Sequence, residues 1–250
     1  MALLLNCDLG ESFGSWTMGM DASVMPHIDQ ANIACGFHAG DPVIINKTLA
    51  LAKDHQVSVG AHPSYPDLNG FGRRSMNLSR AELLASLTYQ IAALDGMALS
   101  QGLSLDYVKP HGALYNDMMR DADIRNRVMT SVANYHRPLK LMLQATTGYE
   151  QHQAEAQAIS ATFEQPLELY FEAFADRCYD DDGSLLARSK AGAVHTQQRM
   201  LEQVTQICQA GTITTVSGEI LSLKIDTLCV HGDNMEAVQA IQAIKQIVRA

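Results

Sequence analysis

Short apolar runs alternate with longer amphipathic runs along the whole chain, and this alternation constrains the fold more than any other feature of the sequence. Residues 3–7, 31–35, 57–61, 105–109, 139–143, 167–171 and 227–230 read as seven short strands, with 213–216 a weaker eighth. The runs between them carry helix start signals. Asp41-Pro42 sets a capping carboxylate before a proline at the first helical position and opens a helix to about residue 55. Ser79-Arg80-Ala81-Glu82 is a capping box, after which Leu83, Leu84, Leu87, Ile91 and Leu94 recur at helical spacing. Further helices are expected over 123–135, 148–159, 196–209 and 234–248. Repeated strand–helix order with right-handed connections closes most simply into a parallel (β/α) barrel of seven strands with helices outside. A doubly wound open sheet is the alternative.

Composition agrees with one such domain over residues 1–250. The chain is 47% hydrophobic and 18% charged, enough for a full core, and no Pro/Gly/Ser-rich linker divides it. A net charge of −9 without a basic stripe argues against nucleic acid as a partner. The early apolar run 2–5 is too short for a membrane span or a signal-peptide core, so a soluble chain with no membrane partner is expected. Cys7, Cys35, Cys178, Cys208 and Cys229 are odd in number, scattered and free of CxxC pairs, which fits a reducing cytoplasm rather than a disulfide framework or zinc ribbon.

In a parallel α/β sheet, chemistry gathers at the C-terminal strand ends, where the loops converge. Those positions are unusually polar here. The first strand runs into Asn6, Asp8 and Glu11, the second into His38 and Asp41, the third into His62, the fourth into Lys109 and His111, and the last into His231 and Asp233. Four of the nine histidines thus mark four strand ends, each beside a glycine or proline. His55, His136 and His152 fall on expected helices and read as structural, whereas His27 and His195 are undecided. Glycines concentrate at the same ends, as loops that approach a ligand closely require. Arg73, Arg74 and Arg177 lie on expected loops and are suited to a bidentate grip on a carboxylate.

The segments at 6–14 (NCDLGESFG), 31–42 (ANIACGFHAGDP), 60–74 (GAHPSYPDLNGFGRR), 108–116 (VKPHGALYN), 174–179 (FADRCY) with Asp182-Gly183, and 229–234 (CVHGDN) resemble the LamB/YcsF family. They run in order through nearly the whole chain. The resemblance implies a glycoside hydrolase/deacetylase-like barrel. It also implies hydrolytic opening of 5-oxoproline to glutamate, coupled to ATP hydrolysis, with 5-oxoprolinase subunits B and C as partners. On that reading Asp8, His62 and His111 are candidate general bases, and Lys109 a candidate to stabilise an oxyanion or phosphate. Asn6, Glu11, His38, Asp41, Arg73, Arg74, Arg177, His231 and Asp233 are candidate substrate-binding residues. By analogy with related barrels, Asp8, His62 and His111 could hold a divalent metal such as zinc. No GxxxxGK[ST] loop occurs, and the first strand is not followed by GxGxxG, so ATP use is expected only in the full complex. The rival readings are a metal-dependent deacetylase or amidohydrolase acting on N-acylated sugars, and a non-catalytic ligand-binding barrel. A homo-oligomer is compatible with all three.

Overall fold

The computed structural model describes residues 3–163, 165–187, 190–232 and 235–249. Helices begin where the sequence supplies caps. Asp41 accepts from Val43 N and Ile44 N to open α2 (Pro42–Asp54), and Ser79 with Glu82 completes the capping box of α3 (Arg80–Ser100). The other helices are α1 (Asp21–Val24), α4 (Gly112–Arg120), α5 (Ala122–Ala133), α6 (Tyr149–Phe163), α7 (Gln197–Ala210) and α8 (Met235–Arg249). By length and composition α3 could cross a membrane, but Leu83, Leu87, Ile91, Leu94 and Ala98 are buried in the protein core.

Seven strands form a closed barrel: β1 (Leu4–Leu9), β2 (Gln30–Ala34), β3 (Ser58–His62), β4 (Leu105–Val108), β5 (Lys140–Gln144), β6 (Leu169–Phe174) and β9 (Thr227–Cys229). Every neighbouring pair is parallel, and β9 closes the ring by pairing with both β6 and β1. Closure rules out the open doubly wound sheet. The weak run at 213–216 lies outside the barrel, where β7 (Thr212–Thr214) pairs antiparallel with β8 (Ile220–Ser222). Helix α4 is unanticipated by the sequence reading, because Pro110 and Gly112 suggest a loop, yet Gly112 at φ 57° turns the chain straight into it.

Alternation along β1 sends Leu5, Cys7 and Leu9 into the apolar core and Asn6 and Asp8 into the barrel. The barrel interior is a hydrogen-bonded polar layer rather than a stack of branched aliphatics. Thr227 Oγ1 donates to Gln30 Oε1 at 2.7 Å, Asn6 Nδ2 to Thr227 Oγ1 at 3.0 Å, Asn32 Nδ2 to Asn6 Oδ1 at 2.8 Å, and Tyr107 OH to Asn32 Oδ1 at 2.7 Å. Gly60 makes room for that last bond, since a Cβ there would sit 2.2 Å from the Tyr107 ring. Gly60→Ala is therefore expected to destabilise the protein by about 1–3 kcal/mol through overpacking, read as a lowered urea unfolding midpoint.

Candidate active site

Strands that end on one rim bring together side chains far apart in the chain. Glu11 follows β1, His38 follows β2, His62 ends β3 and His111 caps α4, and one ligand-type atom from each lies within 4.8 Å of the others. The rings of His38 and His111 stack at 3.7 Å, and His62 stands edge-on to both. Gly72 permits this packing, because a Cβ there would come within 2.9 Å of both His38 and His111.

Hydrogen bonds fix which nitrogens carry hydrogen in two of these rings. His62 Nδ1 is 2.7 Å from the Lys109 carbonyl and His111 Nε2 is 2.9 Å from the Phe71 carbonyl. A carbonyl only accepts, so both nitrogens donate. In the neutral rings His62 Nε2 and His111 Nδ1 then bear lone pairs, 3.0 Å apart. Glu11 Oε1 lies 4.0 Å from the first and 3.3 Å from the second, and 3.1 Å from His38 Nε2, while Asp8 Oδ2 is 3.3 Å from His62 Nε2. Acceptors facing one another repel unless a proton or a cation sits among them. Burial pushes His38 and His111 well below the ordinary imidazole range, and the neighbouring rings push the same way, which disfavours protons on those two. The donor set thus suits a divalent cation. It differs in part from the Asp8, His62 and His111 set expected from the sequence, with Glu11 and His38 joining and Asp8 standing alongside.

Lys109 lies beneath this group and turns into the barrel, 3% exposed. Its Nζ is 2.9 Å from Asp8 Oδ1, 3.0 Å from Glu172 Oε2 and 3.2 Å from Asn6 Oδ1. Burial opposes the ammonium, but the carboxylate of Asp8, with that of Glu172, holds it well above the ordinary lysine range. Burial likewise opposes ionised Asp8, and His62 and Lys109 outweigh it, leaving that carboxyl well below the usual range. Lys109, expected as an oxyanion or phosphate donor, is thus engaged with Asp8, Glu172 and Asn6. Asn6, expected at the substrate, is fully buried one layer below Asp8.

Other expected residues are distributed around the rim. Asp41 caps α2 and also accepts from Gly14 N at 2.8 Å. Arg74 pairs with Asp67 within its own turn, and buried Arg177 donates to the Leu186 and Ala193 carbonyls, so both hold loops in shape. Arg73 is exposed, its guanidinium 5.1 Å from the Phe71 ring centroid. His231 pairs with Asp176 at 3.0 Å. Asp233 lies outside the described residues. Sequence reading missed Glu172, Asn32, Tyr107 and Asp176. The first three could have been found as polar residues on the inward-facing alternate positions of strands.

A parallel barrel that gathers carboxylates and imidazoles at its C-terminal rim defines a hydrolase-type (β/α) barrel. Residues 3–250 match the LamB/YcsF family, and the chain belongs to that family. It is 53% identical over 245 residues to the 5-oxoprolinase A subunit of Pseudomonas fluorescens strain Pf0-1, covering 98% of this chain and 96% of that protein. It is 48% identical over 242 residues to the corresponding protein of Vibrio cholerae, covering 96% and 95%. A lactam utilization protein from Thermus thermophilus superposes with a TM-score of 0.89 at 36% identity, over 100% of this chain and 96% of that one. A protein described as a putative cellobiose-phosphate cleavage protein from Enterococcus faecalis V583 shares the fold at a TM-score of 0.58 and 10% identity, over 99% and 93%.

Two outcomes test this geometry. Glu172→Ala removes one of the two carboxylates beside a buried ammonium, leaving Asp8, and is expected to lower stability by up to about 3–5 kcal/mol, measured by urea unfolding. The second concerns pH. The folded state holds His38 below its unfolded value of 6.5, so its contribution is present above pH 6.5 and is lost as pH falls below it. With chelator present, acidification from about pH 7.5 to 5.5 should cost His38→Gln less stability than wild type, by up to about 1.4 kcal/mol per pH unit below the unfolded value.

Proposed function

We propose that this chain is the A subunit of an ATP-dependent 5-oxoprolinase, opening 5-oxo-L-proline to L-glutamate together with subunits B and C. One observation carries the chemistry. His62 and His111 turn their N–H groups onto backbone carbonyls and their lone pairs toward Asp8 and Glu11, so that four acceptors converge at the rim where a proton from water could be taken. A lactam resists attack by neutral water, so a positioned base contributes directly to the rate. Relatives that share about half of this sequence bear the name of the 5-oxoprolinase A subunit, which supplies the substrate class.

Asp8, His62 and His111 act as the base group, with Lys109 holding Asp8 ionised and oriented. Arg73, exposed beside Phe71, meets the substrate carboxylate. An arginine about 4 Å from a carboxylate interacts by roughly 4 kcal/mol at an effective dielectric near 20, before desolvation, whereas the distant negative charges are screened beyond about 8 Å. As an alternative to that base role, Glu11, His38, His62 and His111, with Asp8 beside them, would give their lone pairs to a divalent ion such as zinc, which when bound would acidify water and polarise the carbonyl. The same donor set favours a second reading, a metal-dependent deacetylase or amidohydrolase acting on N-acylated sugars. ATP is used within the complex, the chain acts as one domain, and its five unpaired cysteines suit the cytoplasm.

Glutamate release in the presence of ATP and 5-oxoproline should be poor for this chain alone and restored by adding subunits B and C. In the complex, His62→Ala and His111→Ala should each lower kcat by on the order of 10²–10⁴-fold with the fold retained. Full turnover by the isolated chain would overturn the dependence on partners, and retained turnover in both variants would overturn the site.

A further inference from the structure

The cluster just described occupies the β1 to β4 side of the rim. The opposite side carries a second titratable pair. Register places Phe174 beside Cys229 and Cys229 beside Asn6, and the ladder continues past the strand ends, Ala175 N donating to Cys229 O and Val230 N to Asn6 O. Two residues beyond those matched positions stand Asp176, His231 and Asp8, on three adjacent strands whose Cα rows lie about 4.8 Å apart. Lys109 reaches Glu172, Cys229 and Asn6, so these face the barrel axis. A period of two carries the same facing to Asp176, His231 and Asp8.

Asp176 is held firmly. From α7, Gln203 Nε2 donates to the Phe174 and Arg177 carbonyls on either side of it at 2.8 and 3.0 Å, and the Asp176 carbonyl accepts from His195 N at 2.7 Å. Its carboxylate lies 3.0 Å from His231 Nδ1, and among the described residues Nε2 of this partly open imidazole, 23% exposed, has no hydrogen-bond partner. A carboxylate at this distance from an imidazole favours the imidazolium.

We infer that His231 is the acid that protonates the ring nitrogen of the lactam as its C–N bond breaks, with Asp176 as its positioning residue. The inference rests on the 5-oxoproline reading. Water oxygen bonds to the carbonyl carbon, and the water proton passes to the Asp8, His62 and His111 group. The C–N electron pair leaves with nitrogen, which takes the proton from His231 Nε2 and becomes the amine of glutamate. Activation of the carbonyl through ATP leaves this demand for a proton unchanged. The charged groups acting on His231 agree with the role. Burial opposes its cation, but Asp176, and after it Asp8 on β1, outweigh both that and Lys109 on β4, raising the imidazole above its ordinary range.

The test compares two substrates in the complex of this chain with subunits B and C: 5-oxoproline, and its thiolactone analogue with sulfur in place of the ring nitrogen. A thiolate leaves without prior protonation, so loss of the acid should harm only the lactam. His231→Gln and Asp176→Asn should lower kcat on the lactam by on the order of 10²–10⁴-fold and on the thiolactone by under about tenfold. Equal losses on both substrates, or an undiminished lactam rate, would overturn the inference. An inactive wild-type complex would instead overturn the substrate reading on which it rests. Independently of turnover, the ring nitrogens of His231 in the wild-type chain, followed by nitrogen NMR, should titrate above pH 6.5 and shift downward in Asp176→Asn. Titration at or below the ordinary imidazole value also overturns the assignment.

Discussion

One buried ammonium group governs the inside of this barrel. Lys109 Nζ touches a carboxylate from β1, a carboxylate from β6 and an amide oxygen from β1, while the Lys109 backbone nitrogen donates to Ala61 O at the end of β3. A charge taken out of water is tolerable only while all its partners stay in place, because a lone buried ion costs several kcal/mol. The interaction therefore acts as a gauge of strand position. If β1 or β6 slipped by one residue, Asp8 or Glu172 would face the helices and the ammonium would lose a counter-ion. Asp8 is held between Lys109 and Asn32, which presents its second oxygen to His62.

From that fixed point the rim divides into two electrostatic halves. On one side three imidazoles crowd around Glu11, and burial with mutual repulsion drives His38 and His111 toward the neutral form. On the other, a single imidazole faces Asp176 and is driven toward the cationic form. Groups of one chemical type thus acquire opposite tendencies from their surroundings, the condition under which one site both accepts and donates protons near neutrality. Asp8 sits at the junction, since β1 pairs with β2 on one side and β9 on the other.

Much of this is legible in the sequence, for physical reasons that can be named. Seven strands stand out as seven apolar runs because both faces of most are buried, and the histidine at the end of β3 and that before α4 are visible because glycine and proline mark the turns beside them. Glu172 is hidden because the run at 167–171 reads as ending at Phe171, whereas β6 continues through Phe174 with a charged residue facing inward. A polar residue reads as a strand terminus when the interior is assumed to be apolar, and here Asn6, Asn32, Tyr107 and Glu172 show that it is not. Asp176 is overshadowed by the arginine beside it, which looks like the better ligand. The structure reverses that preference, spending the Arg177 donors on the Leu186 and Ala193 carbonyls while the carboxylate faces His231.

The placement of the rim cations bears on what partner subunits would supply in the proposed reaction. Phosphate recognition calls for free cations or a nest of backbone N–H groups. At the rim Lys109 is sealed between two carboxylates and Arg177 is tied to carbonyls, while Arg74 is paired with Asp67. Arg73 is an exposed guanidinium over the Phe71 ring, which packs edge-on to His38 and His111, and in the proposed reaction a substrate carboxylate would occupy it. Among the described residues of the rim, Lys109, Arg74 and Arg177 are thus committed to partners within the chain, while titratable groups suited to the proposed proton transfers remain. In the proposed reaction this chain would hold the lactam between an acid and a base, and the phosphate chemistry would take place on surfaces contributed by other subunits.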